Sequence, residues 1–196
     1  LGDVYKRQLH YIDVYLQLQQ MRFPSNMTSV FEIPDEVKSM LIPKMTLQPL
    51  VENSIRHGNL LKIENGRLVI RAYRQERYLH IFVEDNGIGM SFEKLSQINK
   101  SLEQVRSSMA NSDVKGFVSS LNLFSADSEE YQPIEKAKEQ RFVSNSIGIY
   151  NVYQRLLLYF KNQCTMYYES NDTCGTTVHI QIDYDMLEEN TASKEI

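Results

Sequence analysis

The sequence has few cysteines, no long apolar run and little net charge, and each shortage argues against a class of protein. Its two cysteines, Cys164 and Cys174, do not have the spacing of a metal site, which favours free thiols in a reducing compartment. We expect neither a membrane span nor a signal peptide within this sequence, because no apolar run is long enough. A formal net charge of -4 argues against a nucleic-acid partner bound by bulk electrostatics.

Several common motifs are missing as well: an internal repeat, a P-loop, a dinucleotide-binding fingerprint and HExxH. The 196 residues suffice for one domain with a sizeable core, plus a helical attachment or a large loop. The hydrophobic fraction of 42% and the charged fraction of 23% are ordinary for a globular protein. Function therefore has to be inferred from individual segments.

Residues 47–58, with the sequence LQPLVENSIRHG, form the stretch around which the chain is organised. The spacing predicts a short helix with Thr46 as its N-cap and Gly58 as its C-cap. The predicted buried stripe consists of Leu47, Leu50, Val51 and Ser54.

A second face of this predicted helix carries Asn53, Arg56 and His57. These residue types suit a metal–phosphate group, because Asn offers a neutral oxygen to Mg²⁺ and Arg and His offer donors to phosphate. The alternative interpretation is a surface helix whose polar face is only solvated.

Residues 66–83 predict a β-hairpin with one buried face, since apolar and polar residues alternate in both halves. Its second strand runs into residues 84–90, EDNGIGM. A plain turn is one interpretation, because Asp-Asn-Gly is common in turns. The other is that Gly87 and Gly89 let the backbone approach a flat ligand, while Asp85 accepts a hydrogen bond from an exocyclic amine.

The other segments predict a strand at residues 30–33, helices at 9–21, 91–102 and 146–160, and a closing hairpin over 166–182. Residues 35–44 are polar and irregular, and residues 103–144 have weak periodicity, which we interpret as a lid. The last helix begins near Gly148 and either presents backbone N–H groups to phosphate or is a plain helix capped by Ser146. Residues 1–7 show no clear pattern, and one interpretation is that they are not native.

Four motifs in this order resemble one family: residues 47–58, residues 84–90, residues 146–156 (SIGIYNVYQRL) and residues 174–178 (CGTTV). The series resembles the catalytic, ATP-binding domain of sensor histidine kinases of the LytS/YesM type, within the GHKL ATPase superfamily. Residues 15–23, YLQLQQMRF, resemble the helix end that precedes this domain in the same family.

The resemblance implies an α/β (α+β) two-layer sandwich, a Bergerat-type ATP-binding fold with a mixed, mostly antiparallel sheet packed on helices. It divides the chain into the end of a dimerisation or stalk helix (1–25), the ATP-binding domain (26–184) with a long lid (91–145), and an acidic tail (185–196).

The resemblance also implies roles for residues of the first motif. Asn53 matches the asparagine that holds Mg²⁺, and Arg56 and His57 match positions beside the phosphates of ATP. Glu52 matches an acidic position, where it is expected to accept a proton; together with Asn53 it forms the expected catalytic pair.

The later motifs supply the rest of the expected ATP site. Asp85 matches the aspartate that accepts from the adenine amino group, and Gly87 and Gly89 match the glycines that admit adenine. Thr176 matches the threonine that fixes adenine together with Asp85, often through water. The expected phosphate-side hinge contains Gly148 and Ser146, and Ser146 stands where the family usually has glycine.

The implied reaction is transfer of the γ-phosphoryl group of ATP, with Mg²⁺, to a histidine upstream of this sequence, since the family's His-Phe context is missing here. The implied partners are a response regulator and a second copy joined through upstream helices. The implied location is the cytoplasmic side of a bacterial plasma membrane sensor. Alternatives are a non-catalytic nucleotide-binding or scaffolding relative, and another GHKL ATPase or serine kinase.

Overall fold

The structure, a computed structural model, describes residues 2–22, 27–110, 148–170 and 175–184. The first elements are β1 (Gly2–Val4), α1 (Tyr5–Arg22), β2 (Thr28–Glu32), α2 (Asp35–Lys38), β3 (Leu41–Pro43) and α3 (Leu47–His57). The later elements are β4 (Arg67–Gln75), β5 (Tyr78–Asp85), α4 (Phe92–Ala110), α5 (residues 148–159), β6 (Cys164–Ser170) and β7 (Thr176–Asp183).

Within these described ranges, five strands form one mixed sheet in the order β2-β4-β5-β7-β6. β2 pairs with β4 in parallel, and the other three pairings are antiparallel. β1 and β3 form a separate two-stranded antiparallel sheet. The predicted sandwich of helices on a mostly antiparallel sheet is confirmed.

One face of the five-stranded sheet is buried beneath helices. Every second residue of β5 is buried, because successive side chains of a strand point to opposite faces. α3 contacts β5, α4 contacts β6, and α1 packs on α3. The predicted stripe of α5 is buried as well, and its members are Ile149, Val152, Tyr153, Leu156 and Phe160. Asp85 is the polar member of the buried set in β5, at the very end of the strand.

The chain before α3 is more regular than the sequence predicts. Residues 35–44, predicted to be irregular, contain α2 and β3. β3 forms because it pairs with β1, which lies far earlier in the chain, and local sequence patterns do not reveal such a partner. Tyr5, within the segment that shows no clear pattern, is fully buried and begins α1.

Helix α4 continues to Ala110, eight residues beyond the predicted end at Leu102. The prediction of irregular chain from Glu103 is wrong for residues 103–110, because Val105 is buried on the same side of the helix as Ile98 and Leu102. The remainder of the predicted lid, 111–145, lies outside the described residues.

Candidate functional site

The end of β5 places the carboxylate of Asp85 beneath the helices, where the residue is only 8% exposed. Its Oδ1 accepts a hydrogen bond from the backbone N–H of Gly87 at 2.9 Å. The side chain of Ser54 on α3 and the backbone N–H of Thr176 on β7 also donate to this carboxylate. Burial raises the pKa of Asp85, and these three neutral donors oppose the rise.

Three glycines allow the backbone to close around this carboxylate. A Cβ atom at Gly87 would lie 2.4 Å from the backbone of Gly58, and a Cβ at Gly58 would lie 2.9 Å from Asp85 Oδ1. The N–H of Ile88 donates to the Gly58 carbonyl at 3.2 Å, so the end of α3 touches the turn after β5. Gly175, with φ of +81°, would place a Cβ 1.9 Å from the carbonyl oxygen of Asp85.

The turn after β5 is also tied to the neighbouring strands. Gly89 has φ of +69°, a left-handed conformation that favours glycine. Beside it, the N–H of Met90 donates to Ser170 Oγ at 2.9 Å, and this hydroxyl donates to the Gly175 carbonyl at 2.6 Å. Ser170 is paired with Thr176 across β6 and β7. The second and fourth motifs of the sequence, residues 84–90 and 174–178, therefore meet at one end of the sheet.

Helix α3 is fixed at its N-terminus by side chains from two other helices. Gln8 of α1 accepts from the N–H groups of Thr46 and Leu47 at 3.2 and 3.4 Å and donates to the Pro43 carbonyl at 2.8 Å. Thr46 occupies the N-cap position, but its side chain donates to the same Pro43 carbonyl, so the predicted capping bond is wrong. Arg155 of α5 donates to two carbonyls of the loop before α3.

Gly58 stands at the C-cap position, as the sequence predicts, but with a φ of -71° its backbone is helical. The position requires glycine for another reason, which is the close approach of the turn containing Gly87. Sequence reasoning found this residue for its capping role and missed its contact with the site.

Asn53 lies on α3 beside Ser54, the helix residue that donates to Asp85. Its Nδ2 is buried and has no hydrogen-bond partner within the described part of the chain. Leaving a buried donor unpaired costs about 1–3 kcal/mol. The amide therefore fits a ligand that brings oxygen atoms, and its carbonyl oxygen is of the type that Mg²⁺ accepts.

The other polar residues of the first motif face different neighbours. Glu52 and Arg56 lie near Tyr15 of α1: burial raises the pKa of this phenol, Glu52 adds to the rise and Arg56 opposes it. The structure therefore places both residues toward α1, the helix that resembles the segment preceding the ATP-binding domain.

His57 lies toward the start of α4, near Lys94. Partial covering of the ring, then the positive charges of Lys94 and Arg56, lower the pKa of His57. The imidazole is therefore neutral at pH 7 and offers one N–H donor without a full charge. At the third motif, a Cβ at Gly148 would meet nothing within 4 Å, and Ser146 lies outside the described residues.

Two residues of the site were not predicted from sequence. Ser54 was assigned to the buried stripe, although a hydroxyl within an apolar stripe is a signal that it has a polar partner. Gly175 was read as the start of a strand, and its contact with Asp85 depends on the pairing of β5 with β7.

Among the residues that the structure describes, no group of three or more His, Cys, Asp and Glu side chains is placed to hold a metal ion. None of the helices within the described ranges is both long and apolar enough to cross a membrane.

The chain matches a known family of ATPases. Residues 41–186, about three quarters of the chain, match the family described as histidine kinase-, DNA gyrase B-, and HSP90-like ATPase. The chain belongs to this ATPase family.

The curated relatives are sensor kinases, which confirms the resemblance. The sensor protein LytS of Bacillus anthracis is 28% identical over 191 residues, which are 97% of this chain and 26% of that protein. The sensor protein kinase HptS of Staphylococcus aureus (strain USA300) is 39% identical over 95 residues, 48% of this chain and 18% of that protein. The chain thus spans about a quarter or less of the length of these relatives.

Solved structures show the same fold at low sequence identity. The catalytic domain of the histidine kinase ThkA superposes with a TM-score of 0.53 at 12% identity, covering 94% of this chain and 95% of that one. A histidine kinase domain from Erythrobacter litoralis superposes with a TM-score of 0.51 at 12% identity, covering 96% of this chain and 66% of that one.

Proposed function

We propose that this chain is the ATP-binding catalytic part of a sensor histidine kinase that phosphorylates a histidine upstream of this sequence, for relay to a response regulator. The observation that carries the proposal is the buried Asp85 carboxylate, held by neutral donors from three segments and enclosed by glycine backbone. This arrangement leaves the carboxylate able to accept from a flat, amine-bearing base, and the chain belongs to an ATPase family.

The base would be held at the end of the sheet. Asp85 accepts from the exocyclic amine of adenine, and Thr176, paired with it across β5 and β7, completes this contact. Gly87 and Gly89 shape the turn beside the base, since a Cβ at Gly87 would collide with the backbone of Gly58 and Gly89 has a left-handed φ of +69°.

The phosphates and metal would lie along α3 and the start of α5. Asn53 supplies an oxygen to Mg²⁺, and the bound ion supplies neutralisation of phosphate charge. Arg56 and the neutral imidazole of His57 donate to phosphate oxygens. Ser146 and Gly148 belong to the hinge on the phosphate side.

The proposed transfer forms a bond between an imidazole nitrogen and the γ-phosphorus while the bond to the β–γ bridging oxygen breaks, which leaves ADP. Glu52 takes the imidazole proton. Such a transfer depends on positioning and charge neutralisation more than on covalent help from the protein. The placement of Glu52 toward α1 supports this role, because α1 resembles the segment that leads to the upstream histidine.

We further propose that α1 joins a homodimer through its exposed side, and that the chain lies on the cytoplasmic side of a membrane-anchored sensor. The exposed apolar residues of α1 follow helical spacing on one face: Tyr11, Val14, Leu18 and Met21. In the full-length protein, Leu18→Glu is expected to weaken dimerisation, measured by sedimentation, and an unchanged dimer would contradict this assignment.

The kinase proposal is tested with the full-length protein and ATP labelled in the γ-phosphate. We expect label that is acid-labile and alkali-stable, as phosphohistidine is. Asn53→Ala should remove the Mg²⁺ dependence of nucleotide binding. Tight ATP binding with no label would favour the non-catalytic relative, which the serine at position 146 also favours, and ATP hydrolysis without phosphohistidine would favour another GHKL ATPase.

A further inference from the structure

The roles proposed above do not use the hydroxyl of Tyr168 on β6. Tyr168 is 4% exposed, and its Oη has no hydrogen-bond partner within the part of the chain that the structure describes. Phenylalanine would fill the same space without an unpaired hydroxyl, which is costly when buried. A buried hydroxyl of this kind is expected where its partner arrives with a ligand.

The strand register places this side chain next to the candidate site. Asp85, Thr176 and Ser170 are paired in turn across β5, β7 and β6 and form one row at the end of the sheet. Tyr168 lies opposite Val178 in the adjacent row. Because positions two apart share a face of the sheet, Tyr168 and Asp85 both point toward the helices.

Two groups lie close enough to the Tyr168 hydroxyl to change its pKa electrostatically. Burial raises its pKa most, and Tyr150 of α5 and the carboxylate of Asp85 raise it further. The phenol therefore stays protonated, and its hydroxyl offers both a donor and an acceptor near Asp85 and Tyr150.

The position of the ring is fixed through its backbone. The side-chain amide of Asn99 on α4 donates to the Tyr168 carbonyl at 2.9 Å and accepts from its N–H at 2.8 Å. β6 is an edge strand, and Asn99 takes the place that a further strand would occupy. The backbone is thus held on both sides while the hydroxyl remains unpaired.

We propose that Tyr168 is a ligand-binding residue of the nucleotide site: its hydroxyl bonds the adenine base, or the water that joins the base to Asp85, once nucleotide is bound. The inference rests on the proposed function, and it adds a hydroxyl from β6 to the residues that hold the base.

The test compares wild-type protein of residues 1–196 with Tyr168→Phe in calorimetric titrations with Mg·ADP. We expect the dissociation constant to rise by about two- to tenfold, the usual net effect of losing one neutral hydrogen bond. We expect the ligand-free Tm to be unchanged or higher, because none of the residues that the structure describes pairs with the hydroxyl in the free protein.

Tyr5→Phe is the matched control. Tyr5 on α1 is also fully buried, its Oη has no hydrogen-bond partner among the described residues, and it takes no part in the candidate site. The dissociation constant of the Tyr5→Phe variant for Mg·ADP should equal that of the wild type. Equal dissociation constants for the wild type and Tyr168→Phe would overturn the inference about Tyr168 but not the proposed function, and a lower ligand-free Tm with unchanged affinity would do the same. A wild type that binds no nucleotide would overturn the proposed function itself.

Discussion

Two buried aspartates lie at opposite ends of adjacent central strands and are held in different ways. Asp85 ends β5 and is 8% exposed; Asp183 ends β7 and is 7% exposed. Asp183 forms a salt bridge with Arg77, including a bond from Nε to Oδ1 at 3.0 Å. Asp85 is held by a serine side chain and two backbone N–H groups, and no cation contributes to its pKa shift.

The difference separates a structural carboxylate from one that is available to a ligand. A guanidinium fork occupies both oxygens of Asp183 and neutralises its charge within the fold. Asp85 is buried without a cation beside it, which raises its pKa and makes its ionised form costly to the fold. Burial alone does not distinguish the two residues, whereas the chemistry of their partners does.

The comparison predicts the largest effect for Gly87→Ala, which disturbs the enclosure of Asp85. The added methyl group meets the backbone of Gly58 and has no flexible side chain to displace. Stability should fall by about 1–3 kcal/mol, as for other overpacked sites. Affinity for Mg·ADP should fall at least as far as in Asp85→Ala. Urea unfolding and calorimetry measure the two effects.

Gly148→Ala is the control for Gly87→Ala, because its Cβ would enter open space. Its stability should stay within about 0.5 kcal/mol of the wild type. Equal losses of stability in the two variants would contradict the role given to the contact between Gly58 and Gly87.

Asp85→Ala should weaken Mg·ADP binding by about 1–3 kcal/mol, because the amine of the base and three protein donors lose their acceptor. The fold should remain, as judged by circular dichroism. Calorimetric titration gives the affinity, and an unchanged titration would remove Asp85 from the site.

Asp183→Ala should show the reverse pattern. We expect a loss of stability of about 1–2 kcal/mol, modest because Arg77 is half-exposed and can be solvated. The affinity for Mg·ADP should not change. If this variant bound nucleotide as poorly as Asp85→Ala, the two carboxylates would not have the separate roles assigned here.

The smallest effect concerns pH and the face of the sheet away from the site. His179 contacts His80 at 3.0 Å and Tyr167 Oη at 2.6 Å and stacks on Phe82. Burial first, then His80, lowers the pKa of His179 to about 4. Its folded pKa lies below the unfolded value of 6.5, so stability is fully present above pH 6.5 and is lost as the pH falls toward 4.

Thermal unfolding of the wild type should therefore show a Tm that falls from pH 7 to pH 5. His179→Gln should reduce this slope, and His10→Gln, on the exposed side of α1, should not. The same slope in all three proteins would show that His179 does not carry the effect.

Much of the fold follows from local pattern. The alternation in residues 66–83 predicted β4 and β5, and the spacing in residues 47–58 predicted α3 with its buried stripe. These predictions succeed because burial of one face imposes its period on the sequence. β3 and the end of α4 were missed, since the first depends on a distant strand and the second on packing against β6.

The sequence by itself determined most of the four long helices that the structure describes, the two hairpins and the family, because amphipathic spacing and the order of four motifs can be recognised in consecutive residues. Only the tertiary structure decided which groups meet. Ser54 donates to Asp85, and the backbone of Gly58 lies close to Gly87. Glu52 lies toward α1, whereas His57 lies toward α4. The physical reason is that these contacts join residues from different elements, and their geometry is set by strand pairing and helix packing together.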